Sequence, residues 1–249
     1  MARAKRDAKK PAEKRRPDSY WQATKTPIHS LIFLFPMIVF YEVGMIWFNR
    51  PDGAPIRNGA DVILRRLLAL LARPGVAASA LVLVASLLLW QVLSKRPWRV
   101  RAGVLARMLP ESLLVAGALY LYALLYPQIG LGTGGEGGMP LIGRLAKCFG
   151  DGIYEEFVYR LLLVGAMTLL FNKAMGLERK RAVWWAVGLA ALIFAIAHYV
   201  GGYADTFRWY TFVFRFGAGL FFSVVLAFRG FGIAAAAHAF YDVAALLTR

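Results

Sequence analysis

Seven stretches of the chain stay apolar long enough to be read as membrane-crossing helices: about Ile28–Phe48, Val76–Leu93, Ala106–Tyr126, Leu145–Phe171, Val183–Val200, Tyr210–Phe228 and Phe231–Leu247. An α-helix needs roughly 20 apolar residues to span the hydrocarbon core. The runs are unbroken rather than alternating, so they do not read as the strands of a β-barrel. An eighth segment, Asp61–Ala72, has apolar residues at helical spacing beside Arg65 and Arg66, with Asp61 placed to cap it. That pattern predicts an amphipathic helix lying in the interface. The fold class is therefore all-α: a polytopic transmembrane helical bundle of about seven spanning helices plus one interfacial amphipathic helix.

Charge sets the topology. The chain carries 30 Lys and Arg against 14 Asp and Glu, and 59% of its residues are hydrophobic. Most of the positive charge lies in residues 1–27 and in loops such as Ser94–Arg101 and Asn172–Arg181, as the positive-inside rule expects. Nucleic acid is excluded as a partner on this distribution; the lipid bilayer is the partner expected. The division predicted is a basic, disordered cytoplasmic tail over 1–27, transmembrane helices with the amphipathic segment over 28–144, and a helical unit carrying the chemistry over 145–247. The first apolar run is too long for a signal-peptide core and reads as a signal anchor. The N-terminus is then cytoplasmic, and the basic, alanine- and arginine-rich composition points to a bacterial inner membrane. Arg65, Arg66 and Arg73, on the outer side under this topology, are its poor fit.

Residues 128–143 contain seven glycines and one proline, and read as a non-cytoplasmic linker, with a substrate-gating loop as the alternative. The single cysteine, Cys148, forbids an intramolecular disulfide or a cysteine-based zinc cluster. Pro110 and Glu111 fall near the start of the third run, where a charge can reach the interface. Glu42, inside the first run, fits helix packing or a water-filled cavity as well as function. His29, at a membrane edge, reads as an interfacial residue.

The chemistry lies in the last four runs. Glu155, Glu156 and Arg160 stand in the fourth, and an ionised group there costs about 2.5–3.5 kcal/mol to insert. Glu156 and Arg160 are four apart, on one helix face with the acid first. Glu155 points about 100° away and is the carboxylate left for chemistry. Phe194 and His198 share a face of the fifth run, and His238 and Asp242 share a face of the seventh. Unpaired, Glu155, Glu156, Arg160 and Asp242 would together cost roughly 10–14 kcal/mol, so they must converge on one another or on water. A glutamate, two histidines and an aspartate in a protected cavity are the equipment for activating water.

Glu155-Glu156-x-x-x-Arg160, Phe194-x-x-x-His198 and His238-x-x-x-Asp242, in that order on successive helices, resemble the three motifs of the CPBP family of intramembrane proteases, the type II CAAX prenyl endopeptidase group. Phe216-Gly217-Ala218-Gly219 looks like that family's glycine-bearing helix. The resemblance spans about residues 145–247. The family usually has Asn where this chain has Asp242; a carboxylate there is assigned to orienting His238 or completing the water site, not to stabilising an oxyanion. The resemblance implies an intramembrane endopeptidase that cuts near the membrane-anchored end of a protein or peptide. Glu155 would be general base, His198 and His238 would position the water and stabilise the oxyanion, and Glu156, Arg160 and Phe194 would support them.

The family is also called metalloprotease, and Glu155, His198 and His238 with a water would suit zinc. No His-Glu-x-x-His run is present, and metal-independent catalysis is the favoured reading. Two other classes stay open: a non-catalytic membrane scaffold or immunity-type protein, and a proton-coupled transporter, whose relay would string these groups across the membrane instead of gathering them. The substrate and the oligomeric state are not legible in the sequence.

Overall fold

The structure, a computed structural model, describes residues 19–48, 57, 59–70, 75, 77–126, 139–201 and 204–248. Each apolar run forms a helix because, without water, backbone groups can be satisfied only within their own segment. The order is α1 (Tyr20–Ala23), α2 (Pro27–Phe48), α3 (Gly59–Ala69), α4 (Ala78–Leu93), α5 (Ala102–Leu124), α6 (Leu141–Glu155), a π-helical segment π1 (Glu156–Leu163), α7 (Val164–Leu169), a second π-helical segment π2 (Leu170–Ala174), α8 (Arg179–Ala197), α9 (Trp209–Arg229) and α10 (Phe231–Leu247). There is no strand among the described residues.

Five helices are long and apolar enough to cross a bilayer: α2, α5, the continuous Leu141–Ala174, α8 and α9. The chain is thus a multi-pass membrane protein. The other two apolar helices, α4 and α10, are shorter. At about 1.5 Å per residue, the 17 residues of α10 fall short of a roughly 30 Å core. Its burial explains its composition: Phe231 through Ala239 are all buried, so α10 is the central helix of the bundle rather than a lipid-facing span. It packs on α6, α5, α2 and α9, and alanines at 234–237 and 239 let those neighbours approach. The outward faces of the other helices carry exposed Leu114, Leu121, Trp184 and Phe228, which suits a lipid surround.

The contact between α6 and α10 is the one that positions the site. A Cβ on Gly152 would collide with the backbone nitrogen of Ala239 and lie 2.7 Å from the carbonyl oxygen of Ala235. Gly152→Val should therefore push the two helices apart. It is expected to destabilise the protein by about 1–3 kcal/mol, read as a lower melting temperature in detergent, and to lower activity as well.

Several expectations change. Residues 1–18 lie outside the described residues, but the segment assigned to the tail packs from Tyr20 onward. Ala23, Thr24 and Thr26 are buried, and the Arg229 guanidinium stands 3.7 Å from the Trp21 ring centre. Glu111 is inside α5, where Arg229 and the Tyr20 hydroxyl both donate to it. Burial, reinforced by that carboxylate, pushes the Tyr20 hydroxyl up to about 12, so it remains a donor. His29, in the first turn of α2, is held by protein partners. It is buried, its Nδ1 2.6 Å from Thr26 Oγ1 and its Nε2 accepting from the Arg101 amide at 3.3 Å.

The amphipathic segment differs most. Helix α3 begins at Gly59, so Asp61 lies in its first turn and does not cap it, and residues 71–72 of the predicted segment lie outside the described residues. Asp61 is fully buried and accepts from Tyr41 Oη at 2.8 Å, Arg57 Nη1 at 2.7 Å, Arg65 Nε at 3.2 Å and Ser79 Oγ. Its outer face carries Ile63, Leu67 and Leu70. The helix is tethered to the bundle by that carboxylate and by buried Ala60 and Leu64, while Arg66 is exposed beside the outward apolar residues. Arg57 also reaches Glu42 at 3.2 Å, and Tyr154 Oη donates to Glu42 at 2.7 Å. Glu42 thereby links this network to the residue just before Glu155. The glycine-rich stretch lies mostly outside the described residues, which resume at Met139.

Candidate active site

The helix running from Leu141 changes winding at the opening of the motif: Glu155 is the last residue of α6 and Glu156 the first of π1. A π-helical turn is wider than an α-helical one and recurs at functional sites. Glu156 is wholly buried. Its Oε1 accepts from His238 Nδ1 at 2.8 Å and lies 3.2 Å from Arg160 Nη1. A carboxylate only accepts, so Nδ1 carries the hydrogen and His238 presents Nε2 to the cavity. Phe222 stacks on the same imidazole, ring centres 4.7 Å apart and planes 17° apart. The ring is fixed in tautomer and in plane.

Two further carboxylates meet at Nε2. Glu155 Oε2 is 3.8 Å away and Asp242 Oδ2 is 3.7 Å away. Both separations exceed hydrogen-bond range, and at such spacing a bridging water belongs in the account. A lone pair and two carboxylates are all acceptors, so they need a proton or a water's hydrogens among them. Unlike buried Glu156, the Glu155 and Asp242 side chains keep 14% and 23% of their surface exposed.

His198 closes α8, and its Nδ1 donates to the Phe194 carbonyl at 2.8 Å, which leaves Nε2 as the free lone pair. Glu155 lies within electrostatic reach of it. Phe194 sits edge-on to His198 at 4.9 Å and to Tyr159 at 5.2 Å, and the Arg160 guanidinium rests 4.0 Å from its ring centre. This cation–π contact accounts for how the arginine is tolerated in the bundle. Gly219 brings α9 onto this corner: a Cβ there would stand 3.0 Å from that of Ala191 and 3.5 Å from the Phe194 ring.

The residues singled out in the sequence thus lie together: Glu155, Glu156, Arg160, His238 and Asp242 in one cluster, with Phe194 against Arg160 and His198 beside Glu155. Two details differ from expectation. The adjacent glutamates, expected to serve separate partners, both face one imidazole, Glu156 at Nδ1 and Glu155 3.8 Å from Nε2. The group that orients His238 is Glu156, not Asp242, which sits with Glu155 on the other side of the ring.

Sequence reading missed the Phe222 stack and the Lys147–Asp151 pair, 2.9 Å apart. Lys147, Asp151 and Glu155 form a column at four-residue spacing on α6, and the first two act electrostatically on Asp242. That spacing was the available signal. Among the described residues no set of three His, Cys, Asp or Glu side chains is grouped to hold a metal ion. Glu155, His198 and His238 as positioned do not fit the zinc site considered for them, and no step below runs through a metal.

A helical membrane bundle that gathers carboxylates and two imidazoles of fixed tautomer at the meeting of three helices has the build of an intramembrane hydrolase. Residues 137–244 match the family described as Type II CAAX prenyl endopeptidase Rce1-like, and this part of the chain belongs to that family. The match supports a CAAX-type membrane protease in the general sense. No curated protein and no solved structure matches the chain.

Proposed function

We propose that the protein is an endopeptidase that hydrolyses a peptide bond near the membrane-anchored end of its substrate, using water activated by Glu155. The observation that carries this reading is the meeting of Glu155 and Asp242 at the free nitrogen of an imidazole that Glu156 holds from behind. Water between these groups is the nucleophile. Glu155 takes its proton as the oxygen attacks the scissile carbonyl carbon, and returns that proton to the leaving amine. Neutral His198 accepts at Nε2 from the hydrogen of the water that Glu155 does not take, and so aligns the oxygen for attack. Asp242 completes the water site. Convergence on one imidazole favours hydrolysis over a proton relay, which would spread its groups across the membrane.

By the positive-inside rule the N-terminus is cytoplasmic, in a bacterial inner membrane. Helix α8 then runs outward, and His198 at its end sets the cavity opening toward the outer face. The test is cleavage of membrane-anchored peptides by purified protein in detergent. His198→Ala should lower turnover by about 10²-fold or more, and a chelator should leave wild-type turnover unchanged. Undiminished cleavage by His198→Ala would remove that histidine from the mechanism. Loss of cleavage on chelation, restored by zinc, would overturn the metal-independent route.

A further inference from the structure

Arg215 lies in α9, a membrane span, yet only one edge of its guanidinium is used by the protein. Nη2 donates to Asp205 Oδ2, and the Tyr199 ring centre is 5.2 Å from the guanidinium carbon. Nη1 is buried and has no hydrogen-bond partner. The loop after α8 is folded back to make this arrangement. Asp205 donates its amide to the His198 carbonyl at 2.9 Å, and Tyr199 shares a 2.7 Å hydrogen bond with Thr211 on α9. The arginine is therefore tied to the backbone of the histidine at the site, and its charge reaches the imidazole.

A buried guanidinium arm seeks a carboxylate or carbonyl oxygen, and a planar fork with one edge engaged presents the other in a fixed direction. The rest of the site decides between those acceptors. Glu155, Glu156, Asp242 and Asp151 line the side made by α6, π1 and α10 and repel an anion; Arg160, whose Nη1 and Nη2 also lack hydrogen-bond partners, has its charge answered by Glu156 at 3.2 Å and its face against Phe194. An anionic group on a bound peptide is stabilised toward α9.

We propose that Arg215 Nη1 binds a carboxylate of the substrate, so that the peptide lies with its anionic end toward α9 and its scissile bond between His198 and Glu155. The carboxylate is either the free C-terminus or an acidic side chain beyond the cut. This rests on the hydrolytic reading of the site, and its test separates the two.

The probe is a library of N-acylated peptides of random sequence, each made as C-terminal acid and as amide, with cleavage read by mass spectrometry. Wild-type protein should cleave the carboxylate-bearing peptides about 10- to 100-fold better than neutral ones. A preference for acids over amides identifies the C-terminus, and a preference for Asp or Glu that persists among amides identifies the side chain. In Arg215→Gln the ratio should fall to about one, and Arg215→Lys, which keeps the charge but not the fork, should be intermediate. A wild-type ratio near one, or a full ratio retained in Arg215→Lys and Arg215→Gln, overturns the proposal. Fluorescence anisotropy of the same acid and amide peptides on Glu155→Gln protein measures the preference without catalysis. If wild type cleaves nothing while that binding preference is present and lost with Arg215, the hydrolytic reading fails and the carboxylate site stands.

Discussion

Glu155→Gln is expected to abolish hydrolysis, lowering turnover by about 10²- to 10⁴-fold while the protein folds and binds peptide. Glutamine keeps the volume of glutamate and can accept a hydrogen bond, but it cannot take a proton from water at neutral pH. The loss should appear in kcat more than in KM, because the proton is transferred only on the way to the transition state. Glu155→Asp retains the base but withdraws it by about one methylene, and misplacement of about 1 Å can cost 10²-fold. It should fall between wild type and Glu155→Gln. The measurement is a peptide time course in detergent beside a melting curve. Wild-type rates in Glu155→Gln would move the base elsewhere, with Asp242 the nearest candidate.

Arg160→Ala is expected to be the most destabilising single change, by about 3–5 kcal/mol. Arg160 is 2% exposed and Glu156 fully buried, so truncation leaves a carboxylate in the bundle with only His238 to answer it. The same substitution removes the guanidinium from between Phe194 and Phe222 and opens a void there. A second variant separates charge from volume. Glu156→Gln with Arg160→Met removes both charges and restores apolar filling, so it should recover much of the melting temperature. It should not recover activity, since a glutamine amide no longer fixes the His238 tautomer. If the double variant is as active as wild type, the pair has no part in positioning that histidine.

The sequence made the spans legible because hydropathy reports transfer to lipid, and their observed bounds differ by a few residues. It also exposed the cluster, since ionisable side chains in an apolar run have few explanations. Burial within the bundle was not legible. Phe231–Leu247 reads as one more span, whereas its alanines signal that other helices, and not lipid, surround it. Asp61 was misread as a cap because its partners Tyr41 and Ser79 lie on other helices, and spacing carries no trace of tertiary hydrogen bonds. The partners of Glu111 and His29 are hidden from the sequence for the same reason. That Glu155 and Glu156 face one imidazole was not legible, because His238 lies on another helix.

The change of winding at Glu156 has a wider consequence. The helix from Leu141 to Ala174 is two phased rods joined by an eight-residue slip. One rod is indexed to α10 through Gly152, and the other to α8. Inserting a single residue between Phe157 and Tyr159 would rotate Arg160 and the rod beyond it against Glu155 and Glu156 and leave every side chain chemically intact. Such a length change should silence the enzyme as thoroughly as removing its base. Here the spacing along the chain is itself part of the catalytic apparatus.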